Sequence, residues 1–157
     1  METKRTKKRY PVGIQSFSKL IEEGFLYVDK TKLIYQLAKD GGYYFLSRPR
    51  RFGKSLLLST IEAYYQGRRE LFKGLDIDKL TDQWEPRPVL HIDLNSGNFN
   101  SVKALEQHLN HILRQWEAKY DISAPSESLS QRFGDVIYAA YSRAGKKAVI
   151  LVDEYDK

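Results

Sequence analysis

The sequence predicts an α/β protein built around a mostly parallel sheet. Two apolar runs without polar alternation, at 43–46 and 148–152, are typical of strands buried on both faces. The run 89–94 predicts another strand, and segments with helical periodicity lie between these runs. The predicted order is strand, helix, strand, helix, helix, strand, which favours parallel strands joined by helices. A length of 157 residues makes one compact domain the default expectation.

The N-terminal elements follow from apolar spacing and from residues that end helices. Apolar residues at i, i+3 and i+4 predict a helix over about 16–23, closed by Gly24. A β-type run at 25–28 ends at Asp29, a natural N-cap for the next segment. The helix predicted after it stops before Gly41.

The remaining helices are predicted in the same way. A helix over 56–65 follows the strand at 43–46, and the mixed composition of 68–88 predicts a short excursion rather than a core element. An apolar stripe of period 3.6 predicts a helix over about 101–119. Ser128 and Gln131 have capping-box spacing at the start of the last predicted helix.

Composition excludes several classes of site and of protein. The chain has no cysteine, which removes disulfides, thiolate chemistry and cysteine-ligated metal centres. No apolar run approaches the ~18 residues that a membrane span needs, so no membrane partner is expected. The basic N-terminus has no apolar segment behind it and is not a secretory signal, and we expect a cytoplasmic protein.

The net charge of +6 is concentrated at the N-terminus. Residues 1–9 hold five lysines and arginines and one glutamate, and the rest of the chain is nearly neutral. We predict a flexible basic arm over 1–10, in which residues 4–9 can contact nucleic acid weakly and without sequence preference. A solubilising terminus is the simpler interpretation.

A phosphate-binding loop is predicted at Gly53-Lys54-Ser55, between a strand and a helix. Backbone amides there converge on an anion, Gly53 permits close approach, Lys54 reaches the β- and γ-phosphates, and the Ser55 hydroxyl can ligate Mg²⁺. The full pattern requires glycine at position 48, which is arginine here. The candidate nucleotide-binding residues are Arg48, Pro49, Arg50, Arg51, Phe52, Gly53, Lys54, Ser55 and Leu56.

The cations of this loop have two interpretations. The functional one is an anion site that neutralises the charge of a triphosphate. The alternative is that the arginines pair with Asp153, Asp156 or other acids when the site is empty. For Arg50 and Arg51 a structural or partner role is as well supported as phosphate binding.

The second chemical signal is Asp153-Glu154, at the end of the apolar run 148–152. In nucleotide hydrolases an aspartate at such a strand tip holds Mg²⁺, and the following glutamate polarises the attacking water. Strand tips are also where open α/β sheets bind ligands. Together with the loop, this predicts catalytic roles for Lys54 and Glu154 and metal ligation by Ser55 and Asp153.

The residues around both motifs resemble a known family. The string 45–57, with 27–31 upstream and 151–157 downstream, is similar to the predicted AAA-ATPase family, over nearly everything after the basic arm. In that family an arginine-rich loop is the usual form, which implies that Arg48 is a family trait. The resemblance implies a P-loop NTPase of three α/β/α layers that binds ATP and Mg²⁺ and hydrolyses ATP.

The same resemblance implies that residues 11–157 are the N-terminal part of an incomplete domain, truncated after the Walker B strand. In related proteins a later strand lies between the two motif strands, and a nuclease-like C-terminal domain often follows. We therefore expect nucleotide binding in this chain, hydrolysis in the longer protein, and self-association through unpaired strand edges. The alternatives are a nucleotide-gated regulatory or interaction module with little turnover, and a nucleic-acid-associated module linked to that nuclease-like domain.

Three further features are weaker. His108 and His111 have i, i+3 spacing that suggests a metal pair, although ordinary packing is favoured. Asp93 lies near a strand tip, where it can face the magnesium water shell or cap the next turn. Tyr27 and Val28 precede the loop strand, in a segment that often covers adenine in related ATPases.

Overall fold

The computed structural model describes residues 8–49, 51–95 and 99–155. The chain divides into two compact units, unit 1 from Met1 to Pro86 and unit 2 from Arg87 to Lys157. We describe each unit by itself.

Unit 1 is helical in its described part. Its helices are α1 Phe17–Glu22, α2 Thr31–Asp40, α3 Lys54–Tyr65, a 3₁₀ helix Arg69–Phe72 and α4 Asp76–Leu80. Ser16 caps α1, because its Oγ accepts the amide N–H of Lys19 at 3.3 Å. Helix α1 packs on α3, and α2 packs on α4.

The core of unit 1 is largely aromatic. The side chains of Phe17 and Phe72 are fully buried, with ring centroids 4.8 Å apart, and Trp84 lies 5.1 Å from Phe72. Leu71 and Ile77 are buried beside them. The prediction that 68–88 is an excursion outside the core was therefore wrong. The glycine and proline residues that suggested a loop join short helices whose apolar residues complete the core.

The strands predicted at 25–28 and 43–46 are not formed. Phe25 makes an isolated bridge to Arg9, and the residues 43–46 have no regular structure. All four side chains of that segment are exposed, with Tyr43 fully exposed and Phe45 at 72%. A strand exists only as part of a hydrogen-bonded ladder, and residues 43–46 are not part of one in the structure. The apolar pattern alone could not show that.

Unit 2 is a β-α-α-β unit. Strand β1 is Val89–Asp93 and strand β2 is Val149–Asp153, and the two are parallel with Val89 opposite Val149 and Asp93 opposite Asp153. Parallel strands need a long crossover connection, which α5 (Val102–Lys119) and α6 (Leu129–Ala144) provide here. The predictions of these strands and helices are confirmed to within a residue or two.

The two helices of unit 2 pack on each other over a core of Leu90, Leu113 and Val136. Ser128 caps α6 as the capping-box spacing predicted, with its Oγ 3.3 Å from the amide nitrogen of Gln131. The chain is thus a mixed α/β protein with a small parallel sheet, and the three-layer P-loop architecture remains a prediction. In the described ranges, no helix has the length and apolar character required to cross a membrane.

Candidate functional site

The loop before α3 has an unusual backbone. Arg51 and Gly53 have positive φ angles of 67° and 76°, on either side of Phe52. A positive φ is uncommon for a residue other than glycine, and backbone strain of this kind concentrates at functional sites. A Cβ added at Gly53 would meet no atom within 4 Å. The left-handed backbone, rather than a lack of space, therefore favours glycine at position 53.

Helix α3 begins at Lys54, directly after this turn, and Gly53 is its N-cap. Because glycine has no side chain to cap the helix, Gly53 leaves the amide N–H groups of the first turn available. Those amides and the positive end of the helix dipole favour an anion such as phosphate. A strained turn and an uncapped helix start are the two features that a phosphate loop uses.

Arg48 and Arg51 of the loop are exposed, and Lys54 is partly buried. The exposed members of the predicted set are Arg48, Pro49, Arg51, Phe52 and Gly53, and 54–56 are partly buried. Among the described residues of unit 1, no ion pair involves Arg48, Arg51 or Lys54. Among those described residues, their charge is therefore not neutralised by an ion pair, as an anion site requires. Arg50 lies outside the described residues.

The two predicted acids lie at the end of β2. Asp153 is the last residue of the strand and is 7% exposed, and its Oδ1 accepts the amide N–H of Glu154 at 3.0 Å. Glu154 has a positive φ of 57°, so the chain turns sharply where the strand ends. A buried carboxylate is stable only with hydrogen-bond donors or cations around it. Asp153 has one such donor in its own neighbour, and a metal ion would supply positive charge.

Asp93 lies opposite Asp153 in the sheet register. Its Oδ1 accepts the amide N–H of Asn95 at 2.7 Å, so its carboxylate caps the turn after β1. This is the second of the two roles that the sequence left open. Two carboxylates nevertheless share the carboxyl edge of the small sheet.

The structure therefore places the two half-sites in different units. The loop with Lys54 and Ser55 belongs to unit 1, and the acids Asp153 and Glu154 belong to unit 2. The convergence of these half-sites on one nucleotide stays a prediction.

The segment predicted to cover adenine has a clear packing role. The Tyr27 ring packs edge-on against Phe17 with centroids 5.1 Å apart, and burial raises the pKa of its phenol, which also hydrogen-bonds to Thr60. Val28 is 69% exposed. Tyr27 is thus a member of the unit 1 core, and Val28 is the one of the pair whose side chain faces solvent.

Two residues of this segment join helices in a way that the sequence did not show. Asp29 Oδ1 accepts the amide and hydroxyl of Thr31 at 2.8 and 2.7 Å, and Oδ2 accepts the amide of Asp76 at 2.7 Å. Thr31 Oγ1 accepts the amide of Ile77 at 3.1 Å. Partial burial acts to raise the pKa of Asp29, but these hydrogen bonds outweigh it and hold the pKa below its usual value. The N-cap of α2 is Lys30 and not the predicted Asp29, which lies one residue before it. The Asp-x-Thr spacing is the sequence signal for the observed arrangement.

The basic arm is described only from Lys8 onward. The guanidinium of Arg9 lies 4.6 Å from the centre of the Phe25 ring, and the Arg9 carbonyl accepts the amide of Leu26 at 2.8 Å. Arg9 therefore contacts unit 1 through its backbone and its guanidinium, while its side chain stays exposed. Lys8 is exposed, and residues 4–7 of the stretch predicted to contact nucleic acid lie outside the described residues.

The histidines of unit 2 line a cavity of about 290 Å³ between β1 and α5. Its lining residues are His91, Asp93, His108, His111, Ile112, Gln115 and Trp116. In the portion of the chain that the structure describes, no three histidines or carboxylates are grouped closely enough to hold a metal ion. His111 Nε2 lies 3.0 Å from Gln115 Nε2, so its imidazole has a partner one turn along its own helix.

The family model described as "Predicted AAA-ATPase" matches residues 11–157. The chain belongs to this predicted AAA-ATPase family. The "Uncharacterized protein in vnfD 5'region" of Azotobacter chroococcum mcd 1 is 40% identical over 153 residues, which cover 97% of this chain. No solved structure matches the chain.

Membership of the predicted AAA-ATPase family supports nucleotide binding in general terms. The chain spans about 30% of the length of the Azotobacter relative. The activity and the partners of the whole protein are therefore proposals.

Proposed function

We propose that this chain is the ATP-binding module of a magnesium-dependent ATPase with a P-loop fold. The observation that carries the proposal is the left-handed turn at Arg51 and Gly53, which leads into the uncapped start of α3. Family membership and the accessible cations of the loop support the same function. In this proposal Lys54 and Asp153 bind one triphosphate and its magnesium.

The residues available for magnesium fit the chemistry of that ion. Mg²⁺ prefers hard oxygen ligands, and the Ser55 hydroxyl and the Asp153 carboxylate are such ligands. When bound, the ion would neutralise charge on the β- and γ-phosphates. Lys54 and the amides of 53–56 would orient the phosphates, and Glu154 would accept the proton of the attacking water. Arg48 and Arg51 would add positive charge at the phosphate end.

Nucleotide binding is tested first, in the chain itself. Thermal unfolding is measured with and without Mg–ATP, for the wild type, Lys54→Ala and Lys103→Ala. Lys103 is the matched control, since it is an exposed lysine in the first turn of another long helix, α5. At ~100 times the dissociation constant, ATP should stabilise the wild type and Lys103→Ala by about 2.7 kcal/mol. Equal stabilisation of Lys54→Ala, or none of the wild type, would contradict the proposal.

Hydrolysis is tested in the longer protein that carries this module. Glu154→Gln should lower the rate of ATP turnover by about 10²–10⁴-fold, the usual contribution of a general base, and leave ATP binding intact. Glu106→Gln, which changes an exposed acid of α5, is the control. Stoichiometric binding without multiple turnover in the wild type would instead support a nucleotide-gated module.

A further inference from the structure

The end of β1 is held from outside the sheet by one side chain of α5. His108 Nε2 lies 3.0 Å from the carbonyl oxygen of Asp93, the last residue of the strand. A carbonyl oxygen can only accept, so Nε2 carries the hydrogen in this contact. The Phe99 ring packs edge-on against the imidazole, with centroids 5.3 Å apart. The packing and the hydrogen bond together fix the orientation of the ring.

This contact continues through the backbone to the predicted acids. Asp93 lies opposite Asp153, and the amide N–H of Leu94 donates to the Asp153 carbonyl at 3.2 Å. The Asp153 carboxylate in turn accepts the amide of Glu154. A continuous series of hydrogen bonds therefore runs from α5, across the tip of β1, to the two acids. Every member of the series lies in unit 2.

We propose that His108 is a positioning residue for the magnesium end of the site, an inference that rests on the proposed function. His108 acts through Asp93 and Leu94 on the backbone that carries the Asp153 carboxylate. Magnesium demands near-ideal octahedral geometry, so a small displacement of one carboxylate weakens its binding. Loss of the His108 hydrogen bond should therefore affect magnesium more than it affects the nucleotide.

The test compares His108→Leu, which removes the donor, with His108→Gln, which keeps a side-chain N–H near the same position. His111→Leu is the control, because it changes an imidazole on the same helix that contacts Gln115 instead. The first measurement is amide hydrogen exchange at Leu94. Exchange should be faster in His108→Leu and unchanged in His111→Leu.

The second measurement is the Mg²⁺ concentration that gives half of the thermal stabilisation by ATP. It should rise about threefold to tenfold in His108→Leu, the range expected for one lost hydrogen bond, and recover in His108→Gln. ATP affinity in the presence of EDTA should stay unchanged. Faster exchange with an unaltered Mg²⁺ requirement would overturn the positioning role and leave the proposed function standing. A wild type that shows no response to ATP with Mg²⁺ would overturn both.

Discussion

The ion pair between α5 and α6 offers the sharpest test of what holds unit 2 together. Arg132 donates to both carboxylate oxygens of Glu117, at 2.6 and 2.8 Å, and its remaining nitrogen donates to Asn110. The two side chains are only 11% and 9% exposed. Hydrogen bonding to Glu117 raises the pKa of Arg132, so the guanidinium stays charged. Removing one partner leaves the other buried without its counter-charge.

The expected magnitude follows from that burial. Breaking a buried pair by removing one partner typically costs about 3–5 kcal/mol, and a small domain has about 5–15 kcal/mol in all. We therefore expect Arg132→Met to lower the free energy of unfolding by about 3 kcal/mol or more. The double variant Arg132→Met/Glu117→Leu should recover much of that loss, because neither charge remains buried. Arg143→Met is the control, since its partner Asp121 is 82% exposed and such pairs contribute about 0–1 kcal/mol.

Urea unfolding of the whole chain, followed by the helical signal in circular dichroism, measures these differences. With a slope of about 1 kcal/mol per molar urea for a small unit, a loss of ~3 kcal/mol moves the midpoint by about 3 M. Two results would refute the reasoning. One is a change in unfolding free energy below ~1 kcal/mol in Arg132→Met. The other is a double variant whose loss of unfolding free energy equals the sum of the losses in Arg132→Met and Glu117→Leu.

Three further predictions concern unit 1. Asp29→Asn should lose about 1 kcal/mol at pH 7, because an asparagine has only one oxygen to accept the amides of Thr31 and Asp76. The folded pKa of Asp29 is depressed, so this contribution is present above its unfolded pKa and disappears as the pH falls through the folded value. Urea midpoints of Asp29→Asn and the wild type should therefore converge in acid. Gly67→Ala should destabilise more than Gly74→Ala, since both have positive φ but only the Cβ at Gly67 would meet Pro86 Cγ, at 2.9 Å; equal thermal midpoints would contradict this. Phe72→Ala should cost about 3–5 kcal/mol, checked by chemical unfolding, because its ring is fully buried.

Most of unit 2 could be predicted from the sequence because its signals are local. The apolar stripe of α5 repeats from turn to turn of one helix, the Ser128 cap lies in the first turn of α6, and β1 and β2 are short apolar runs. The parallel pairing followed from the helices between the strands. What the sequence could not give was the Arg132–Glu117 pair, because which faces of two helices meet depends on their packing.

In unit 1, local sequence patterns did not predict which segments form strands or which side chains are buried. Residues 43–46 have a strand-like pattern, yet a strand is a property of a pair, and the pattern says nothing about whether a partner is present. The opposite error occurred at 68–88, where glycine and proline residues led to the prediction of a short excursion outside the core. Short helices on either side of Gly74 direct their apolar side chains inward. The residues buried in this way are Leu71, Phe72 and Ile77. The glycine and proline residues of 68–88 indicate where helices end, but they do not indicate in which direction the side chains between them pack.

The candidate site also has a part that the sequence predicted and a part that it did not. The chemistry of Lys54 and Ser55 could be predicted because a phosphate loop is built within a few consecutive residues. The structure adds a left-handed backbone at Arg51, which the residue type did not indicate. A left-handed arginine costs about 1–2 kcal/mol, and such strain persists only where the surroundings enforce it. If the fold of the free chain enforces it, Arg51→Gly should stabilise the free chain and weaken the gain from nucleotide, since glycine relieves the strain but leaves the bound turn less preorganised. The measurement is the thermal midpoint of Arg51→Gly with and without Mg–ATP. Arg48→Gly is the control, since it also loses a positive charge. The comparison separates the effect of backbone strain from the effect of the lost charge. Equal behaviour of the two variants would assign Arg51 to charge alone.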